Sequence, residues 1–240
     1  MVVSTVDVTN MSKRENDRPL ASVVQEFSGA LVTPQTNLFS GPGRRGSFYN
    51  GGVYDADRAV VPLAIHHAGQ HKNVPDQNPR IATGAHLGGT FLFGGWLRGH
   101  FGHFLVESIT RLWALPRVAG SIAGIVYLHW NGPAKNLTRE RAVRRADATF
   151  RQPFVGQVLD CLGVTAPVHV VGDALEVERL LVPSQLGWAR QDDAARACFR
   201  ELCQAITMHP RVRNGPGAKK IYVCEPGLAL RSPTSYSRTE

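Results

Sequence analysis

The chain has 240 residues, 43% hydrophobic and 19% charged, with a formal net charge of +8. This is ordinary globular composition, enough for a sizeable core and for one large or two small domains. Arginine supplies 22 of the 27 basic residues, which suits phosphate or carboxylate binding through its planar fork. No block of five or more basic residues occurs, so a nucleic-acid tail is not indicated. The densest basic cluster, Arg139, Arg141, Arg144, Arg145 and Arg151, reads as a solvated helix face. Asp7, Lys13, Arg14, Glu15 and Asp17 interrupt any signal-peptide pattern, and no apolar run reaches the ~20 residues of a membrane span. Cys161, Cys198, Cys203 and Cys224 form no C-x-x-C pair and read as buried thiols of a reducing compartment. The expectation is a soluble, cytoplasmic chain.

Residues 1–50 are expected to be a flexible N-terminal segment. Within it Leu20–Phe27 suits a short helix or strand, and Gly41–Gly46 is a loop because Gly and Pro deny it regular structure. Gly51–Ile65 reads as a hairpin turning at Asp55-Ala56-Asp57. His66, His67 and His71 follow in a polar loop ending near Pro79 and are expected to be exposed. Thr90–Phe93 is a short apolar strand, and Gly94, Gly95 and Gly99 make a glycine-rich turn after it.

From His100 to Leu115 the pattern is helical. At ~100° per residue, Phe101, Leu105, Ile109, Leu112 and Trp113 spread over a wide apolar arc. His100, His103, Glu107 and Arg111 share a narrow arc of under ~90°. Such a seam of titratable groups on an otherwise apolar helix suits the wall of a cleft. The bland alternative is an i,i+4 helix pair between Glu107 and Arg111, worth ~0.3–0.5 kcal/mol, beside a core histidine.

Gly124–Trp130 is a continuous apolar run, as in strands covered on both faces. A helical region is expected from Thr138 to Phe150, and a second amphipathic helix around Phe154, Val158, Leu159 and Leu162, ended by Gly163. Val168–Val171 and Arg179–Val182 read as strands. Asp192–Met208 is a long helix, opened by acidic residues and lined on one face by Ala195, Phe199, Leu202, Cys203 and Ile206. Lys220–Cys224 is a last strand. This alternation predicts an α/β layered, Rossmann-like domain with a mostly parallel sheet over residues 51–223. Ligands of such sheets sit beyond the carboxyl ends of strands, which directs attention to residues 94–103 and an anion at the helix start. No P-loop, no G-x-G-x-x-G dinucleotide fingerprint and no G-x-S-x-G elbow is identified.

Gly102-His103-Phe104-Leu105-Val106-Glu107-Ser108-Ile109-Thr110-Arg111-Leu112-Trp113 resembles the Gly-His-Phe-x-x-Glu-x-x-x-Arg-Leu-Trp helix of glycosyltransferase family 61, also known as capsular polysaccharide biosynthesis-like proteins. Gly52-Val53-Tyr54-Asp55, Leu180-Leu181-Val182-Pro183-Ser184 and Lys220-Ile221-Tyr222-Val223 resemble further pieces of the same family, in order. The likeness covers roughly residues 50–223, and its specific part is the helix motif. It implies a GT-B arrangement of which this chain is the N-terminal, acceptor-side lobe. It also implies inverting transfer from a nucleotide-sugar donor to a glycan acceptor in polysaccharide biosynthesis, with no other cofactor. Under that likeness His103 or Glu107 is the base, and Arg111 holds its partner's charge or a phosphate. Arg98, His100 and Gly102 are expected to bind substrate, and no metal site is expected. The family's Ser-Arg after the 220–223 strand, and its later Asn-Glu, are replaced here by Cys224-Glu225-Pro226. The expectation is therefore a truncated or frame-shifted member that lacks the second lobe, with 224–240 an aberrant tail and a second-lobe polypeptide or a second copy as partner.

Two other classes are weighed. One is a non-catalytic glycan- or partner-binding module derived from such an enzyme. The other is a metal hydrolase with His100, His103 and Glu107 as ligands at i, i+3 and i+7.

Overall fold

A computed structural model describes residues 22–35, 38–39, 47–68, 71–79, 85–130, 144, 150–186 and 192–210. The segment before Leu20, the loop 41–46, the body of the 138–150 helix, the 220–224 strand and the tail lie outside these residues.

The main sheet has six strands: β1 (Val24–Thr33), β4 (Gly52–Tyr54), β7 (Ala85–Leu97), β8 (Gly124–His129), β9 (Val168–Val171) and β10 (Leu175–Pro183). Their order is β4-β1-β10-β7-β8-β9. β10, β7, β8 and β9 run parallel, while β1 is antiparallel to both β10 and β4. The sheet is thus mixed and mostly parallel, with helices, as the alternation of elements predicts. A smaller sheet, in the order β2-β3-β6-β5, joins Leu38–Phe39, Ser47–Tyr49, His71–Asn73 and His67–Ala68.

β8 is buried along all six residues, the continuous burial that its apolar run requires. Ile125 and Tyr127 face one core, and Val126 and Leu128 the other. On the first face lie Phe104, Ile109, Leu112 and Trp113, with helices α3 (Pro153–Cys161) and α4 (Asp193–Met208). On the second face lie Tyr49, Val53, Val61 and Ala64. The main sheet thus carries the helices on one face and, on the other, Tyr49 of the smaller sheet and the 61–64 turn.

Local signals account for the helix ends. The Asp192 side chain caps α4 by accepting from the Ala195 N–H at 2.7 Å. Gly163 follows α3 with φ +67°, a left-handed residue that closes a helix at little cost. Ala195, Phe199, Leu202 and Ile206 are buried on α4 as expected, and Cys198 rather than Cys203 completes the face.

The first difference from expectation is at Gly94 and Gly95, which form no turn. β7 runs straight through them to Leu97. The β7–β8 register slips between Phe93 and Gly95, a bulge in which Gly95 takes φ +93°. The extra residue reverses the alternation. Phe91, Phe93 and Trp96 share the second face, and Leu92 and Leu97 the first. Gly94 is glycine for another reason: a Cβ there would stand 2.4 Å from the Tyr127 ring.

The second difference is the helix expected over 100–115. It is a chain of short turns: α1 (Phe101–His103), a π turn (Phe104–Ser108), a 3-10 turn (Leu112–Ala114) and α2 (Leu115–Val118). Ile109 N–H reaches back five residues to Phe104 O at 3.2 Å, and the Thr110 hydroxyl donates to Glu107 O at 2.7 Å, a competing local bond that unwinds a helix. Pro116, which has no N–H to give, sits in the first turn of α2. So short a helix carries no appreciable dipole, and the expected anion site at its start loses its basis.

Candidate active site

Glu107 sits on the π turn, a local form that often marks functional positions, and is 1% exposed. Both of its oxygens are engaged. Oε1 takes a short hydrogen bond from His103 Nδ1, and Oε2 lies 3.1 Å from His66 Nε2 and 3.2 Å from Arg98 Nε. Three elements converge here. Arg98 directly follows β7, and its backbone N–H donates to the Ser108 hydroxyl at 2.9 Å, fixing the strand end to the π turn. His66 enters from the segment before β5. Asn73 on β6 secures that segment by donating to Gly51 O at 2.7 Å and Tyr49 O at 3.3 Å, and by accepting from His66 N–H at 3.5 Å.

The β7 bulge decides which way Arg98 faces. With the alternation reversed, residue 98 falls on the same side as Trp96. There its guanidinium stacks on the Trp130 ring, 3.5 Å from the centroid, and interacts with Tyr49.

Charge follows from burial and partners. Burial alone would raise the Glu107 pKa, but the His66 hydrogen bond and the Arg98 charge outweigh it and hold the carboxyl below its usual value. Burial pushes His66 down to about 4, against the opposing pull of Glu107. At neutral pH the core is therefore a carboxylate flanked by a guanidinium and a neutral imidazole whose Nε2–H donates. His103 differs from both, because its side chain is 47% exposed. With Nδ1–H given to the carboxylate, its Nε2 lone pair is available at the surface. His100 and Gly102 are exposed beside it, the two imidazoles 5.4 Å apart. Phe101 and Val106 are also exposed, at 42% and 41%.

Of the residues singled out in the sequence, His103 and Glu107 are in contact, and Arg98 joins them. Arg111 does not. The Glu107–Arg111 ion pair of the alternative reading is absent, and Arg111 is 1% exposed. Its guanidinium donates to three carbonyls: Leu63 O at 2.8 Å, Ile65 O at 3.0 Å and, more closely, Pro183 O. Burial lowers it to about 9, so it stays cationic. Gly95 admits it, since a Cβ there would stand 3.1 Å from Arg111 Cδ. Arg111 is thus a clamp between the 62–65 turn and the end of β10, and the expectation that it touches a phosphate is corrected. Glu107 is likewise too deep to meet an acceptor directly.

His66 is the residue that sequence reasoning missed. It was expected in an exposed loop, yet it is 1% exposed. The signal that was available is the apolar stretch Ala59–Ile65 running directly into it. His67 and His71 lie on β5 and β6 rather than in a loop.

Among the described residues no group of three or more His, Cys, Asp or Glu side chains is arranged to hold a metal ion, and His103 is hydrogen-bonded to Glu107. Gly41–Gly46 does spell G-x-G-x-x-G. It lies outside the described residues, and the next described element is the strand β3, whereas a dinucleotide fingerprint must open a helix. Among the described residues no helix is long and apolar enough to cross a membrane. No family model, curated protein or solved structure matches the chain.

Proposed function

We propose that this chain is the acceptor-side lobe of an inverting glycosyltransferase of the family 61 type, with His103 as its base. The observation that carries the proposal is the exposed His103 imidazole bonded through Nδ1 to a buried, ionised Glu107. That pairing fixes the tautomer and presents Nε2 outward, and it stabilises the imidazolium once formed. His103 Nε2 takes the proton of an acceptor hydroxyl. The hydroxyl oxygen attacks the anomeric carbon of a nucleotide-sugar, and the bond from that carbon to the phosphate oxygen breaks, its electron pair leaving with the nucleoside diphosphate. Glu107 orients and charges the base, and Arg98 and His66 orient Glu107. His100 and the open backbone at Gly102 flank the acceptor hydroxyl, while exposed Phe101 and Val106 offer apolar surface to a sugar face. The GT-B lobe assignment, the polysaccharide role and the partner, a second-lobe polypeptide or another copy, rest on the sequence likeness.

The test is incubation with a panel of nucleotide-sugars and glycan acceptors, following nucleoside diphosphate release by NMR, with His103→Ala as control. Release that depends on His103 is the expected result. Binding of glycan without release assigns the chain to the non-catalytic module class instead.

A further inference from the structure

Four polar atoms around the Glu107 carboxylate have no hydrogen-bond partner among the described residues: Arg98 Nη1, Tyr49 OH, Trp96 Nε1 and His66 Nδ1. None of these residues is more than 2% exposed. They are close together. The Tyr49 and Trp96 rings are 4.6 Å apart, His66 and Trp96 are 6.3 Å apart, and Tyr49 interacts with the charges of Arg98 and Glu107. Buried polar atoms are rarely left unsatisfied, and a cluster of them calls for a specific cause.

The chemistry of the four is not mixed at random. The guanidinium and indole N–H groups are donors only, and a buried phenol can donate. The fourth, His66 Nδ1, is an acceptor once Nε2–H serves Glu107, and it lies outside the donor set. The charge balance points the same way. The charged side chains interacting with Tyr49 are Arg98, Arg111 and Glu107, two cations against one anion. Arg111 donates from both Nη atoms to three carbonyl oxygens and keeps only Nε without a partner among the described residues. Arg98 shares only Nε with Glu107 and keeps Nη1 unused. Donors beside a surplus of positive charge are the complement of an oxyanion.

We propose that Arg98, Tyr49 and Trp96 form a binding site for one oxyanion, a carboxylate or a phosphoryl group. Arg98 directly precedes exposed Gly99 and His100, and the Trp130 ring beneath its guanidinium is only partly buried. The inference goes beyond the transferase reading, because it requires binding and no turnover.

The test is titration of the purified chain with inorganic phosphate and, separately, with acetate, at ionic strength held constant by chloride, following the thermal midpoint and tryptophan fluorescence. A saturable rise is expected with at least one anion and none with chloride. The stronger arm names the class, phosphoryl or carboxylate. Tyr49→Phe removes one donor and keeps the ring, so it is expected to weaken binding about five-fold. With no anion present that variant is expected to be at least as stable as the native chain, because its lost hydroxyl had no partner. The proposal is overturned by the absence of saturation with both anions, by an equal response to chloride, or by unchanged affinity in Tyr49→Phe. A marked loss of stability in that variant overturns it too, because the hydroxyl would then already be satisfied within the protein.

Discussion

His66 and Glu107 are 41 residues apart in the chain, and in the fold His66 Nε2 lies 3.1 Å from Glu107 Oε2, with both side chains 1% exposed. The pair makes stability depend on pH. In the unfolded chain the imidazole binds its proton near pH 6.5, and in the fold it refuses it down to about 4. Between those values the unfolded state holds the extra proton, so stability falls as pH falls, by on the order of 3 kcal/mol across the window. Glu107, held below its ordinary value, adds a loss of the same sign at lower pH, as the pH falls through its folded pKa. Urea unfolding of the native chain and of His66→Gln at pH 7, 6, 5 and 4 measures this. The variant is expected to lose most of the slope above pH 4; an identical slope would mean that His66 is not the source.

Glu107→Gln leaves the Arg98 guanidinium buried without its counter-charge. Breaking one side of such a pair costs about 3 kcal/mol, more than the pair itself contributes. Chemical denaturation at pH 7 is expected to show that loss. Adding Arg98→Met to the same chain should recover at least about 1 kcal/mol relative to the sum of the single changes, because the two sites share one interaction. Strict additivity would argue against a direct coupling.

His103→Ala should separate chemistry from stability. Its side chain is 47% exposed, so the change in unfolding free energy is expected to stay within about 1 kcal/mol. Nucleoside diphosphate release is expected to drop by about 10²–10⁴, the ordinary contribution of a positioned base. A variant that is stable and retains full turnover removes His103 from the reaction.

Gly94→Ala would drive a methyl group to 2.4 Å from the Tyr127 ring. That ring is fully buried and its hydroxyl donates to Ser108 O at 3.0 Å, so it has nowhere to move without losing the bond that holds the π turn. The expected cost is about 3 kcal/mol, the upper range for overpacking a tight core. Introducing the same change into a Tyr127→Leu background should cost about 1 kcal/mol or less, and thermal melts of the four chains complete the cycle.

Much of the scaffold was legible in the residues themselves. β8, β9, α3 and α4 fall within a few residues of their expected places, because apolar period, the Asp192 cap and the Gly163 stop act within one element and need no partner to be recognised. The contact of His103 with Glu107 was legible for the same reason, since residues four apart share a helical turn. What tertiary structure decided is everything that depends on a second element. The bulge at Gly94 and Gly95 turned Arg98 toward Tyr49. Crowding by Tyr127 and Arg111 explains why those positions are glycine. Packing carried His66 from an expected loop into the core, and three carbonyls from two other segments took Arg111 out of the seam. A sequence pattern states which residues share a face, but it does not state what the opposite surface brings against them, and for a buried charge that opposite surface sets the partner, the protonation state and therefore the role.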